Sequence, residues 1–158
     1  MFILRKYIVI TFVSLGAAMA LTSCSETKIA QCQRLIQTVN EGTASLEAKK
    51  GSQVSTSLEL AKELEGVSNK LKGTQYKDEQ LEKYKTQYAE IFANLSQKID
   101  KAAKGLGATK KAESSAGGRE KIQKAKADMD DALKSATDAA KKLDGVVPEL
   151  NKYCSQPE

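Results

Sequence analysis

Residues 78–104 read DEQLEKYKTQYAEIFANLSQKIDKAAK. Leu81, Tyr84, Tyr88, Ile91, Leu95, Ile99 (or Lys98 beside it) and Ala102 recur at steps of three and four. That rhythm puts them on one face of an α-helix, with Lys, Glu and Gln on the opposite face. Asp78 or Thr74 serves as the N-terminal cap, and Glu79 and Glu82 fall where the helix dipole favours acids. At 1.5 Å per residue the segment is a rod of roughly 39 Å. It is predicted to stop near Gly105-Leu106-Gly107, although Ala, Lys and Glu from Ala108 to Ser114 would allow it to continue.

The rest of the chain repeats the pattern. Upstream, Ile29, Cys32, Ile36, Val39, Thr43 and Leu46 form a seam over 29–49, with Ser25 or Thr27 as cap. Lys49-Lys50-Gly51-Ser52 is the stop: cations suit the helix C-terminus and glycine suits a left-handed cap. A second helix over 53–72 carries Val54, Leu58, Ala61, Leu64, Val67 and Leu71, and ends with the same signal at Lys72-Gly73. Downstream, Gly105 to Gly118 (GLGATKKAESSAGG) is loop-like in composition. A fourth helix over 119–147 is traced by Ile122, Lys126, Met129, Leu133, Ala136, Ala140, Leu143 and Val147. Asp144-Gly145 followed by Pro148 predicts a break or kink, with a short final turn over 148–154. The fold class expected is all-α: an up-down-up-down four-helix bundle spanning 29–155.

Composition agrees. The chain has 158 residues with 5% aromatics, no Trp and two prolines, Pro148 and Pro157. Its core must therefore rest on Leu, Ile, Val and Ala. Histidine is absent, which removes the commonest general acid–base and the commonest metal ligand. No Gly-rich phosphate loop, Ser-His-Asp set, CxxC or zinc spacing occurs. The expectation is a non-enzymatic protein with no metal and no cofactor.

The N-terminus reads as an address. Arg5 and Lys6 precede the apolar run YIVITFVSLGAAMAL (7–21), which is too short to span a bilayer and has signal-peptide proportions. It ends in Leu21-Thr22-Ser23-Cys24, which resembles the lipobox of bacterial lipoproteins. The resemblance implies cleavage after residue 23, a diacylglycerol on the Cys24 thiol, acylation of the new N-terminus, and a short tether over 24–28. Two or more acyl chains anchor stably where one does not. The expected location is the cell envelope, on a membrane and facing the periplasm or exterior.

Three cysteines are present. With Cys24 lipidated, Cys32 and Cys154 remain, in a disulfide-permissive compartment. An antiparallel bundle of four helices brings the start of the first and the end of the fourth together, so a Cys32–Cys154 bridge is expected. Two buried free thiols are the alternative.

Removing Arg5 and Lys6 takes the formal charge from +5 to about +3, too mild to argue for nucleic acid. The cations cluster, however: Lys98, Lys101, Lys104, Lys110, Lys111, Arg119, Lys121, Lys124 and Lys126 stand against Asp100, Glu113 and Glu120. In the bundle this turn points away from Cys24. It is a candidate docking patch for an envelope protein or an anionic surface, with a solvated helix end as the plain alternative. Asp128, Asp130 and Asp131 lack calcium-loop spacing and read as solvated. Tyr84 and Tyr88 share a face, and Tyr76 and Tyr153 are expected at the same, membrane-proximal end, packed in the core with hydroxyls reaching the surface; a ligand cleft or partner contact there is the alternative.

Asp78-Glu79-Gln80-Leu81 and Asn151-Lys152-Tyr153-Cys154-Ser155, with a cysteine near each end, resemble a group of small uncharacterised lipoproteins of cyanobacteria. That resemblance implies a helical bundle and export, and no activity. Two functions are therefore expected: a non-enzymatic binding or structural module anchored in the envelope, or a carrier of a small apolar ligand or cofactor between the helices.

Overall fold

The computed structural model describes residues 26–49, 53–110 and 116–156. The leader (1–23), Cys24, Ser25, the Lys50–Ser52 part of the first stop signal, Lys111 and Pro157 lie outside the described residues. Four helices follow in order: α1 (Lys28–Ala48), α2 (Val54–Gly73), α3 (Glu79–Lys110) and α4 (Ala116–Cys154). No strand occurs among the described residues.

Each start has a local cause. Thr27 Oγ1 accepts from the Ala30 N–H at 3.2 Å and caps α1. Asp78 caps α3 twice, its Oδ1 accepting from the N–H groups of Gln80 and Leu81 at 2.9 Å each. Glu82 Oε1 reaches back to the Tyr76 N–H at 2.6 Å, satisfying a donor just ahead of the helix. At the end of α2, no described residue takes positive φ. Gly73 is therefore not the left-handed cap that its sequence suggests. Thr74 turns extended instead, and its Oγ1 donates to the Lys70 carbonyl at 2.7 Å.

The helices alternate in direction. The α1 start, the α2–α3 turn and the α4 end meet at one end of the bundle. There Gln31 Oε1 accepts from the Lys77 N–H at 2.7 Å, and Lys28 Nζ donates to the Gln156 carbonyl at 3.4 Å. Cys32 and Cys154 are joined there, with Cα atoms 5.8 Å apart and 122 residues between them in sequence. The fold is thus the expected antiparallel bundle, but an uneven one. α3 packs against α2 on one flank and α4 on the other, while α2 and α4 nowhere approach closely. α1 leans on α2 and α3, and its contact with α4 is slight.

The core lies around α3. Leu81, Tyr84, Tyr88, Ile91 and Leu95 are buried as their spacing predicts, and Phe92, Leu35, Leu64 and Leu71 complete it. Two buried serines stitch α2 to α3 reciprocally. Ser68 Oγ donates to the Ala89 carbonyl at 2.8 Å, and Ser96 Oγ to the Ala61 carbonyl at 2.7 Å. Each satisfies a polar group that would otherwise be costly to bury.

Several expectations about the helices need correction. α3 does not stop at Gly105 but runs through Gly105 and Gly107 to Lys110. A Cβ at Gly105 would meet the Ala125 carbonyl at 3.4 Å and Met129 Cγ at 3.5 Å, ordinary contact distances, so packing does not require the glycine. Contact with α4, where Ala103 and Ala125 are buried, carries the helix past the roughly 1 kcal/mol a helical glycine costs. The loop expected over Gly105–Gly118 shrinks accordingly, because α4 already begins at Ala116.

α4 also passes Gly145 and Pro148 without the predicted break and continues to Cys154. Pro148 strips the Asp144 carbonyl of its helical donor, but Asp144 is exposed to water. Beyond the proline, buried Leu150 and the disulfide hold the chain in place.

The α4 seam keeps Ile122, Met129, Ala136, Leu143 and Val147 of the predicted one but replaces Lys126, Leu133 and Ala140 by the residue before each. Ala125, Ala132, Ala139, Leu143 and Leu150 are buried, with Met129, Ala136 and Val146 half-buried between them. Leu133 is 59% exposed, and Lys126 and Ala140 also face outward. Alanine at the true seam lets α3 approach closely, so the larger Leu133 is turned away. On α1, Ile29 is likewise 59% exposed, and Gln31, Leu35, Thr38 and Gly42 join Cys32 and Val39 on the buried side.

Candidate functional site

The described structure offers three clusters: the tyrosines at the disulfide end, the cations at the opposite end, and a groove along α3 and α4 between them.

At the disulfide end the tyrosines do gather. Tyr84 and Tyr153 rings lie 6.0 Å apart, Lys28 Nζ sits 4.2 Å over the Tyr153 ring, and Arg34 lies 4.7 Å over Tyr76. The expectation that their hydroxyls reach the surface fails for two of them. The Tyr76 and Tyr88 hydroxyls are buried and have no hydrogen-bond partner among the described residues. Burial pushes both phenols up, with Arg34 partly opposing this at Tyr76. Neither is a nucleophile or base at neutral pH.

The Tyr153 hydroxyl donates to Asp78 Oδ2 at 2.7 Å and so ties the end of α4 to the cap of α3. That bond, with burial, pushes Tyr153 up to about 12. Burial pulls the Asp78 carboxyl upward. It is outweighed by the bonds from Tyr153, Leu81 and Gln80 and by the Lys28 charge, so Asp78 titrates below its ordinary value. A depressed carboxylate stabilises the fold above its unfolded value, about 3.9, and that contribution is lost as pH falls through the folded value. Tyr153 works in the opposite sense: its contribution is complete below about 10 and is lost as pH rises through its folded value. Tyr153→Phe is therefore expected to cost about 1–2 kcal/mol at neutral pH and to flatten the acid limb of the stability curve. Urea denaturation at pH values spanning that limb checks both; an acid limb as steep as wild type would refute the link.

At the opposite end, three of the nine cations are already engaged. Lys98 pairs with Asp131 at 3.4 Å and Lys101 with Asp128 at 3.0 Å, both across the α3–α4 interface. Lys104 pairs with Asp100 at 2.7 Å, one turn away on α3. Asp128 and Asp131, read from sequence as solvated acids, are thus partly neutralised by α3. The Lys110 side chain and Lys111 lie outside the described residues. Arg119, Lys121, Lys124 and Lys126 are exposed, and none forms an ion pair among the described residues. The patch that remains lies on the first turns of α4. An open cleft of about 430 Å³ lies beside it, lined by Lys101, Lys104, Lys121 and Lys124 with Gly105, Ala108 and Ala125 as its floor.

The third cluster has no counterpart in the sequence expectations. An open groove of about 700 Å³ runs between α3 and α4 nearer the disulfide end. Gln87, Glu90 and Asn94 rim it from α3, and Ser135, Asp138, Lys142 and Glu149 from α4. Ile91, Ala139 and Val146 line its floor. The signal was present as a polar and small-residue stripe at steps of three and four on α4 (Ser135, Asp138, Lys142, Gly145, Glu149). Ala132 and Ala139 do not mark the buried side strongly enough in the sequence for that stripe to stand out.

No described helix is long and apolar enough to cross a membrane. No protein-family model, curated protein or solved structure matches the chain.

Proposed function

We propose that the protein is a non-enzymatic binding module, lipid-anchored through Cys24 at the cell envelope, which holds an anionic partner at its far end. The observation that carries this reading is the placement of charge. Arg119, Lys121 and Lys124, which form no ion pair among the described residues, lie at the end opposite Glu26, where the chain arrives from Cys24. Arg119, Lys121 and Lys124 stand exposed together on the first turns of α4, an arrangement that suits an anionic partner. Only Ser25 separates Cys24 from Glu26, which keeps the disulfide end close to any membrane holding the lipid.

The carrier reading has less support. The largest core side chains, Tyr88, Phe92, Leu35 and Leu64, are fully enclosed, and the α3–α4 groove is open with charged rims. Neither offers an apolar ligand a dry chamber.

Membrane fractionation with intact-mass measurement tests the anchor. Wild type is expected in membranes carrying acyl mass, and Cys24→Ala free of membranes or unprocessed. Normal processing with unchanged anchoring in Cys24→Ala overturns the lipoprotein reading. In the same cells, reversing Arg119, Lys121 and Lys124 to Glu is expected to leave anchoring intact and abolish cross-links to the partner; undiminished cross-links overturn the site.

A further inference from the structure

The two clefts follow one another along the same pair of helices, α3 and α4, as two reaches of an interrupted groove. On α3 their linings advance from Gln87 through Glu90, Asn94, Lys101 and Lys104 to Ala108, and on α4 the facing residues step back from Glu149 to Lys121. Within each cleft the steps are three or four residues, which keeps one face of each helix turned to the same side. The Lys98–Asp131 pair crosses between the two clefts, and the Lys101–Asp128 pair crosses at the edge of the far one. From Gln87 to Ala108 the groove is about 32 Å long at 1.5 Å per residue.

Its charge is polarised. The half nearer the disulfide carries Glu90, Asp138 and Glu149 against Lys142, a net of −2. The far half carries Lys101, Lys104, Lys121 and Lys124 against Asp100 and Asp128, a net of +2. Glu90, Asp138, Glu149 and Lys142 are exposed and form no ion pair among the described residues. Floor residues are mainly small (Gly105, Ala108, Ala125, Ala139), which lets another backbone come close.

We propose that this groove docks a single amphipathic helix of about 21 residues from a partner protein. Its acidic half lies over Lys104, Lys121 and Lys124, and its basic half over Glu90, Asp138 and Glu149. The valley between two antiparallel helices accepts the ridge of a third, and the opposite charges of the two halves fix its direction. Most helices favour acids near the N-terminus and bases near the C-terminus. Such a helix enters at the far end and runs parallel to α4. A second copy of this chain matches the charges when turned end for end, but it would set one concave groove against another. A partner helix fills the groove and a second copy does not. The proposal rests on the reading of the bundle as a binding module and names the chemistry of what it binds.

The test uses the purified protein and two synthetic helical peptides of 21 residues and identical composition. One has glutamates in its N-terminal half and lysines in its C-terminal half; the other has them interleaved. At low ionic strength the polarised peptide is expected to bind about tenfold more tightly, a difference of about 1.4 kcal/mol. It should shift the amide resonances of Gly105, Ala125, Ala139 and Gly145. The triple variant Glu90→Lys, Asp138→Lys, Glu149→Lys, whose helicity is checked by circular dichroism, is expected to erase that preference. Equal binding of the two peptides, or shifts confined elsewhere, overturns the proposal. So does a wild-type dimer in solution that the triple variant abolishes, because a second copy then occupies the groove. None of these results alters the Cys24→Ala fractionation, so failure of the groove leaves the anchor standing.

Discussion

Replacing Cys32 and Cys154 together by serine is expected to lower the unfolding free energy by about 5 kcal/mol. The bridge spans 122 residues, and the chain-entropy relation for a loop of that order yields about 5 kcal/mol at 25 °C. The unfolded chain supplies most of the effect, since a closed loop nearly as long as the domain forbids most of its extended states. The native state adds a local contribution. α1 touches α4 only slightly, so the bridge is the principal tie between them, with the Lys28–Gln156 bond beside it. α3 is gripped along both flanks without help from the bridge. The serine variant should therefore keep its helicity while losing stability. Urea titrations of oxidised wild type and the double variant measure this as a fall in midpoint, with a larger m-value in the variant because its unfolded chain exposes more surface. Small domains hold about 5–15 kcal/mol in total, so the variant is left close to the threshold. A loss below about 1 kcal/mol would mean that the unfolded chain is compact without its cross-link.

Why the bundle was legible and the groove was not follows from how each is written in the chain. Helix number and direction depend on apolar periodicity and on breakers between periodic stretches, both of which are local. Leu81, Tyr84, Tyr88, Ile91 and Leu95 announce their face because no other phase fits them. The fourth helix is ambiguous because its apolar residues are alanines, and Ala125, Ala132 and Ala139 compete with Leu133 and Ala140 one residue on. Hydropathy favours the phase containing leucine. Packing favours the phase whose small side chains let α3 come near, and packing decides. The two phases share Met129, Ala136 and Leu143 and differ at Ala125, Ala132 and Ala139, a rotation of about half a residue step that leaves the stripe from Ser135 to Glu149 unannounced.

Breakers misled for a related reason. Gly105 and Pro148 carry local penalties of about 1 and 3 kcal/mol, which Ala125 and Met129 in one case, and Leu150 and the disulfide in the other, outweigh through contacts distant in sequence. The basic end shows the same limit. A count of lysines along the chain cannot register Lys98 with Asp131 or Lys101 with Asp128, because those pairs depend on how two helices are set against each other.

Gly42 is the clearest case of a residue whose role only the fold reveals, and substituting it has the second large expected effect. It lies on the buried side of α1. A Cβ built there would stand 2.5 Å from Phe92 Cζ and 2.6 Å from Cε1, well inside contact distance. Phe92 is fully enclosed, so its ring has no open space to swing into. Glycine is here for the space it leaves, not for backbone freedom, since its φ is ordinary. Exchanging it for alanine in an exposed helix would stabilise by up to about 1 kcal/mol. At this position Gly42→Ala is expected to destabilise by about 1–2 kcal/mol instead, and Gly42→Leu by about 3 kcal/mol or more, as α1 is pushed off α3. Phe92→Leu opens room at its own cost in lost packing. The Gly42→Ala, Phe92→Leu double variant should then lose at least about 1 kcal/mol less than the two single losses added together. Urea denaturation of the three proteins closes the cycle. A Gly42→Ala protein more stable than wild type would show that helix propensity, and not contact with Phe92, governs this position, and that α1 is free to settle farther from α3.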